Sequence, residues 1–583
     1  MNSTQREDHI DRALVALNEG RANDVLSLCQ AVLEANMNDA EAWSIYGLAG
    51  LQFEPDKAVQ ALQRAIQLEP QEPRWRIHLG VGLGKIQRDV EAEQVLLDSV
   101  ELTNGADEAL IPWSNSLLKL GKLDQATTAL RDAANKNGSS ALWMHLSNIL
   151  SANDDLIGSV AAREKAYSGH EMPIPEKLSI ANQHVLLGQY DQSQKYVDDL
   201  LAYDNNEPET IFLAANLKRW RGELDDAHEF LSSAVQKNSG DPRLLLALLD
   251  LNRVEDNGKL DAAKTFAENA SLPIPMRRGL AFVVARRADK SGNYDEAWQF
   301  SLKANGLYDD GAVSQIDLYR KQIEMGLNMF PQIEEQKSEN DQEHIYVIGP
   351  PRSGGSLLQT IIAAAPDTFS VGERGALMAW LLPLLEQSSS NDQALAEFNR
   401  IAADLQKADT AGIVRSLGHE DAKIFVDKMP HHSHVAGLIA KIHPKSKFVD
   451  VRRNAHDMAT SILFHDFTDK FGYSRSISDI ADYLVFQREA IQSWQKAGME
   501  ILIHDHNQFL DAPEVNGEKL FQSLELPWQA SYLDPEKRKS TVRTFSALQV
   551  RSKVTKAYSG RGERYREFMG EVAGILDELN AIE

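Results

Sequence analysis

A punctuation mark that returns about every 34 residues constrains this chain more than any other feature. A Gly-x-(Leu/Tyr)-Asp-x-(Ala/Ser) segment begins at Gly121, Gly188, Gly222, Gly258 and Gly292, in steps of 67, 34, 36 and 34 residues, the first a double step. Carrying the frame backwards reaches weaker copies at Asp155, Gln87, Phe53 and Gly20. A glycine at that point tolerates a turn between two helices. The residues between the marks agree. Trp43 and Gly47, followed by Ala58, Ala65 and Pro70, supply an aromatic, small contact residues and a terminating proline, and Trp75, Gly80 and Ala92 repeat the theme. Small residues let paired helices approach, while the large ones fill the gaps between successive pairs.

Period and residues together resemble the tetratricopeptide repeat, two antiparallel helices per unit. The resemblance implies an all-α superhelix of about nine units over residues 1–328, whose concave groove holds a protein or peptide partner and implies no chemistry by itself. Residues 329–343 read as a linker, with Pro331 followed by a charged, Gln/Asn-rich run. From residue 344 to 583 the period gives way to isolated β-rich runs alternating with helices, the pattern of an α/β domain with a central parallel sheet.

Charge narrows the function. Among 583 residues, 61 Lys and Arg face 85 Asp and Glu, a net charge of −24, which argues against nucleic-acid binding through bulk charge. No apolar run reaches the roughly 18 residues a membrane span needs. The polar start, MNSTQREDHIDR, lacks the apolar core of a signal peptide and leads us to expect a cytoplasmic protein. Cys29 is the sole cysteine, which excludes an intrachain disulfide framework, a zinc–cysteine cluster and a redox pair. Residues 341–583 carry 27 basic and 33 acidic side chains, so −18 of the charge falls on residues 1–340. Residues 537–566 hold ten basic side chains against Glu563 alone, a local field suited to an anion.

The run His344-Ile-Tyr-Val-Ile348 reads as a buried strand. It leads into Gly349-Pro-Pro-Arg352-Ser353-Gly354-Gly355-Ser356 and then an apolar helix from Leu357. Strand, glycine-rich loop and helix turn several backbone N–H groups and a helix N-terminus toward one anion. The spacing is that of a Walker A loop, yet Gly355 stands where its lysine belongs. Arg352 can supply a guanidinium from within the loop.

Five ordered segments resemble the sulfotransferases, and the repeat-containing and protein-tyrosine members in particular. Pro351-Arg-Ser-Gly-Gly-Ser-Leu-Leu358 is similar to their 5′-phosphosulfate loop, Gly372-Glu373 to their Gly-Glu, and Asp427-Lys428-Met-Pro430 to their Asp-Lys-x-Pro. Phe448-Val-Asp-Val-Arg452-Arg453 with Ser461 eight residues on resembles their 3′-phosphate motif. Thr544-Phe-Ser546-Ala-Leu-Gln549-Val550-Arg551, then Gly560-Arg561 and Tyr565, resembles their C-terminal motifs.

The resemblance implies transfer of a sulfuryl group from 3′-phosphoadenosine 5′-phosphosulfate (PAPS), as co-substrate, to a hydroxyl acceptor, with no metal expected. Peptide tyrosine, carbohydrate and small hydroxyl compounds are all compatible acceptors. Glu373 is implied as the general base. Arg352 and Lys428 would stabilise the sulfuryl group and leaving phosphate, and Ser546 would donate a hydrogen bond there. Pro351, Arg352, Ser353, Gly354, Gly355 and Ser356 would cradle the 5′ side. Arg453, Ser461 and Arg561 would hold the 3′-phosphate, with Gln549 and Arg551 also on the nucleotide. His431, His432, His434, His504 and His506 lack an acidic ligand at fitting spacing and read as lining a polar pocket. The chain departs from the family pattern at Gly355, His432, His506 and Gly562. Two other readings stay open: a repeat scaffold with a degenerate nucleotide domain, and a P-loop kinase, which the missing lysine disfavours.

Overall fold

The structure is a computed structural model. It describes all residues except 154, 239, 252–256, 309–314, 337–341, 418–422, 468–470, 535–553, 557–558 and 582–583, and except the side chains of 257, 411 and 415–417. Among the described residues, nine helix pairs run from Ser3–Asn18 with Ala22–Ala35 to Ile274–Lys290 with Tyr294–Asn305. The nine sequence registers fall at or beside the turns within these pairs. Gly20, Gly121, Gly188, Gly222 and Gly292 all adopt left-handed backbone, φ between +70° and +86°, and Gln87 takes the same conformation at +62°. Glycine enters that region without the steric cost that a side chain brings, which is why it recurs there.

The chain divides into two compact units, Met1–His170 with Ala403–Ala408, and Glu171–Ala402 with Asp409–Glu583. The first holds helix pairs one to five. Its opening pairs close over Ile10, Val25, Cys29, Val32 and Ile45, all buried. The second holds pairs six to nine together with the sheet domain.

That domain is built on five parallel strands: β1 (Glu343–Ile348), β2 (Thr368–Gly372), β3 (Ile424–Asp427), β4 (Ser446–Arg452) and β5 (Ile501–Asp505), in spatial order β2-β3-β1-β4-β5. Alternation along the strands makes two faces. Ile345, Val347, Val426, Val449 and Val451 pack on Leu358 and Ile361 of the loop helix Gly355–Ile362. Tyr346 lies on the opposite face, stacked on Phe448 at 5.2 Å.

The ninth helix pair shares the domain's core. Ala285, Ala288, Ala297 and Trp298 cluster with Met458, Ile462, Leu484, Tyr565 and Leu576. The linker segment is also partly packed: a short 3-10 turn, Phe330–Gln332, sets Phe330 edge-on to Trp494, and Gln336 donates its N–H to the Lys441 carbonyl at 3.0 Å.

Candidate active site

Five parallel strands deliver their C-terminal ends to one edge of the sheet, the place where open α/β sheets bind ligands. Each strand ends in a residue singled out from sequence or next to one. After β1, the loop alternates its handedness, with Gly349 at φ +118°, Arg352 at +68° and Gly354 at +110°. Such alternation turns successive N–H groups into one concave nest for an anion. Arg352, which has a side chain, stays left-handed at a cost of about 1–2 kcal/mol, the kind of strain that surrounding structure holds at binding loops. Pro351, Ser353 and Ser356 are buried within the turn.

The loop glycines make room for side chains from other strands. A Cβ on Gly355 would come within 3.3 Å of Lys428 Cγ, so the lysine stem from the end of β3 lies across the position where a Walker lysine would start. A Cβ on Gly354 would fall 2.4 Å from the His506 ring, which follows β5. His506 Nδ1 is buried without a hydrogen-bond partner. Burial, then Arg453 and His504, push this imidazole down to about 3, so it is neutral.

Lys428 is buried and forms an ion pair with Glu373. Burial first, and the Arg352 guanidinium second, pull the ammonium down to about 7. Glu373 reaches it because β2 ends in a bulge: its register against β3 shifts between Ser370 and Gly372, and Gly372 adopts φ +80°. The next residue, Arg374, donates to Asp409 at 3.0 Å in a pair that is 5% and 4% exposed. Burial pushes the Asp409 carboxyl up, but Arg374 and His443 outweigh it and hold it well below the usual carboxylate range.

A second cluster of cations lies beyond β4. Arg352 Nε donates to Ser461 Oγ at 3.0 Å, and Arg453 Nη1 to the Arg352 carbonyl at 3.2 Å. Arg453 also faces Asp457 at 3.5 Å. Asp457 in turn accepts the N–H groups of Gly560 at 2.9 Å and Gly562 at 2.7 Å, which places Arg561 beside Arg453. Burial lowers the Arg453 value, Asp457 opposes, and Arg561 lowers it further. Two guanidiniums therefore lie close together at this corner, Arg453 facing Asp457 and Arg561 facing Asp289.

The structure thus brings together Arg352, Glu373, Lys428, Arg453, Ser461 and Arg561, with the loop residues Pro351 to Ser356. Ser546, Gln549 and Arg551 lie outside the described residues. Gly562 fits where it stands, because a Cβ there would sit 2.2 Å from the His456 carbonyl carbon. The histidine run, expected to line a polar pocket, is polar in part, with His431 Nε2 3.1 Å from the Tyr473 hydroxyl and His434 Nε2 3.1 Å from Gln487 Nε2. His431 stacks on Phe471 at 4.6 Å and His434 packs on Tyr319 at 4.5 Å, inside an aromatic layer. His344, Asp409 and His443 form a different buried group, with ligand atoms within 4.8 Å of one another, and there the Arg374 guanidinium already occupies the carboxylate.

Sequence reasoning missed Asp457, Arg374, Asp409 and His465. The first has a signal, its i+4 spacing from Arg453 on one helix face. His465 lies four residues past Ser461, just beyond the end of the helix Ala455–Leu463. Burial, then Arg352 and Arg286, push it well below its ordinary value, so one ring feels both the loop arginine and an arginine of the ninth helix pair. Arg286, with Phe212, Arg219, Asp250 and Phe282, lines a cavity of about 220 Å³ on pairs seven to nine that reaches Asp466.

Residues 344–530 match the family model described as Sulfotransferase family. A curated relative, an uncharacterized protein of Aquifex aeolicus (strain VF5), is 26% identical over 372 residues, which is 61% of this chain and 48% of the relative. The chain therefore spans about half the length of that relative. A tetratricopeptide repeat protein from Parabacteroides merdae ATCC 43184 is similar over 41% of this chain and 94% of its own, at 13% identity and a TM-score of 0.29. A thermophilic TPR protein of Thermus thermophilus covers 30% of this chain and 98% of its own, at 16% identity and a TM-score of 0.26. PilF of Pseudomonas aeruginosa covers 36% and 95%, at 16% identity and a TM-score of 0.27.

Proposed function

We propose that this chain, a helical repeat array carrying a sulfotransferase-family domain, transfers a sulfuryl group from PAPS to a hydroxyl acceptor presented by the repeat domain. In this reading residues 1–328 are the solenoid, 329–343 the linker and 344–583 the transferase domain. One observation carries it: a lysine-less phosphate loop with a buried ammonium brought in from β3, and a second anion corner where Arg453, just after β4, meets Arg561 of the C-terminal segment. A nucleoside triphosphate has one polyphosphate chain and no 3′-phosphate to fill that second corner. PAPS and its desulfated product, 3′-phosphoadenosine 5′-phosphate (PAP), carry phosphates at both ends of the ribose.

The loop fits the 5′ side: an N–H nest, two glycines, the buried Lys428 and the unpartnered His506 Nδ1 converge there. PAPS supplies an activated sulfuryl group whose bridging S–O bond breaks as the new S–O bond to the acceptor forms. Glu373 takes the acceptor's hydroxyl proton. Lys428 and Arg352 stabilise the charge on the sulfuryl oxygens and the departing phosphate, and Ser546 adds a hydrogen bond. Arg453, Ser461 and Arg561 hold the 3′-phosphate, with Gln549 and Arg551 on the same nucleotide. This division of labour, positioning plus electrostatics, is that of phosphoryl transfer.

The solenoid's groove engages a protein or peptide partner that presents the hydroxyl.

Glu373→Gln separates binding from chemistry. It should keep PAP affinity within about twofold while turnover on an acceptor identified for the wild type falls about 10²–10⁴-fold. Turnover within about twofold of wild type would mean another residue is the base.

A further inference from the structure

The ninth helix pair does more than share the domain's core. Asp289, on its first helix, faces Arg561 Nε at 3.0 Å through Oδ2, while Oδ1 accepts the Tyr565 hydroxyl at 2.6 Å. Asp289 is 17% and Arg561 19% exposed at the side chain. Tyr565 is fully buried, stacked on Trp298 of the same repeat pair at 5.8 Å, with Tyr294 edge-on at 5.5 Å. On its far side the segment is tied to the sheet domain by the Gly560 and Gly562 N–H groups on Asp457, the counterion of Arg453. The guanidinium of Arg561 also lies over Phe464 at 4.8 Å. Repeat and sheet domain therefore grip one arginine from opposite sides. Asp289 thus lies on the Nε side of the guanidinium as its counterion, with no hydrogen bond from Nε, while Arg453 lies close enough to feel the same charge.

We infer that the terminal repeat pair is part of the nucleotide site, with Asp289 as a positioning residue that aims Arg561 at the 3′-phosphate and so sets selectivity for a 3′-phosphorylated nucleotide. This rests on the nucleotide reading proposed above. A guanidinium held at one edge meets an anion as a bidentate fork, whereas a loose one loses orientation and side-chain entropy on binding. The selectivity of a sheet-domain site is thereby set from the repeat array, and a partner that shifts the ninth pair shifts nucleotide affinity with it.

The probes are PAP and AMP, which differ in the 3′-phosphate alone, titrated calorimetrically into the full chain. Wild type should prefer PAP. Asp289→Asn keeps an acceptor for Tyr565 but removes the charge that orients Arg561, so it should weaken PAP about tenfold while AMP stays within about twofold. Arg561→Lys, which keeps the charge and loses the fork while leaving the repeat sequence unchanged, should lower the PAP-to-AMP ratio likewise. In an Arg561→Ala background, Asp289→Asn should change the ratio no further. Equal weakening of PAP and AMP by Asp289→Asn, or an unchanged ratio, overturns the inference and leaves the proposed function standing. A wild-type chain that binds PAP no better than AMP overturns both.

Discussion

Lys428 links burial to chemistry at the scale of one residue. Burial and Arg352 hold its ammonium at about 7, so near neutral pH the unliganded chain carries it partly deprotonated. An anion in the loop favours the charged form, so PAP binding should take up a proton, and affinity should fall as pH rises from about 7 to 9. Titrations in two buffers of different ionisation heat measure that uptake. Lys428→Arg should abolish it, because a guanidinium stays charged throughout. The family resemblance singled out Glu373, Lys428 and the loop, and the strand ends bring these side chains close together. Two things were not legible in the sequence. A sequence shows that Gly355 replaces the Walker lysine; it does not show that the vacated space is crossed by the stem of Lys428, 73 positions later. Nor does it show that Gly562 is required by the His456 backbone rather than being a lost aromatic.

Elements explain why the site residues are held where they are. The bulge ending β2 turns Glu373 toward Lys428, and the adjacent Arg374–Asp409 pair clamps that turn from beneath. Removing one partner of a buried pair leaves an uncompensated charge, so Asp409→Ala should cost about 3–5 kcal/mol in denaturant titration. The Asp409 carboxyl is held below its unfolded value, so its contribution is fully present above the unfolded pKa of about 4 and is lost as pH falls below that. Acid titration of the melting temperature should show that loss in wild type and a shallower slope in the variant. The helix pairs were readable because a glycine takes the left-handed turn in five of the nine periods, and Gln87, left-handed without being glycine, shows that the register survives its loss. Asp409 was not readable: it lies on a long helix, Asn391–Leu417, with nothing in its neighbours to mark a pair with Arg374.

For the whole molecule, the fold class and the change of architecture near residue 344 follow from periodicity, while the tie between ninth pair and sheet domain needs the structure. Ala285, Ala288 and Trp298 share a core with Met458, Tyr565 and Leu576, and Asn305 donates to the Leu463 carbonyl at 2.8 Å. A fragment beginning at residue 321 loses that core and should neither melt cooperatively nor bind PAP. A fragment beginning at 171, which keeps pairs six to nine, should do both, as scanning calorimetry will show. A cooperatively melting 321–583 fragment would mean the ninth pair is dispensable. On the proposed reading, the two anion corners accept a nucleotide phosphorylated at both ends of its ribose. Calorimetric titration of the full chain with PAP and with ATP tests this most directly. PAP should bind saturably, with ATP weaker by about 1.4 kcal/mol or more, at least tenfold; ATP binding as tightly as PAP would contradict the nucleotide reading.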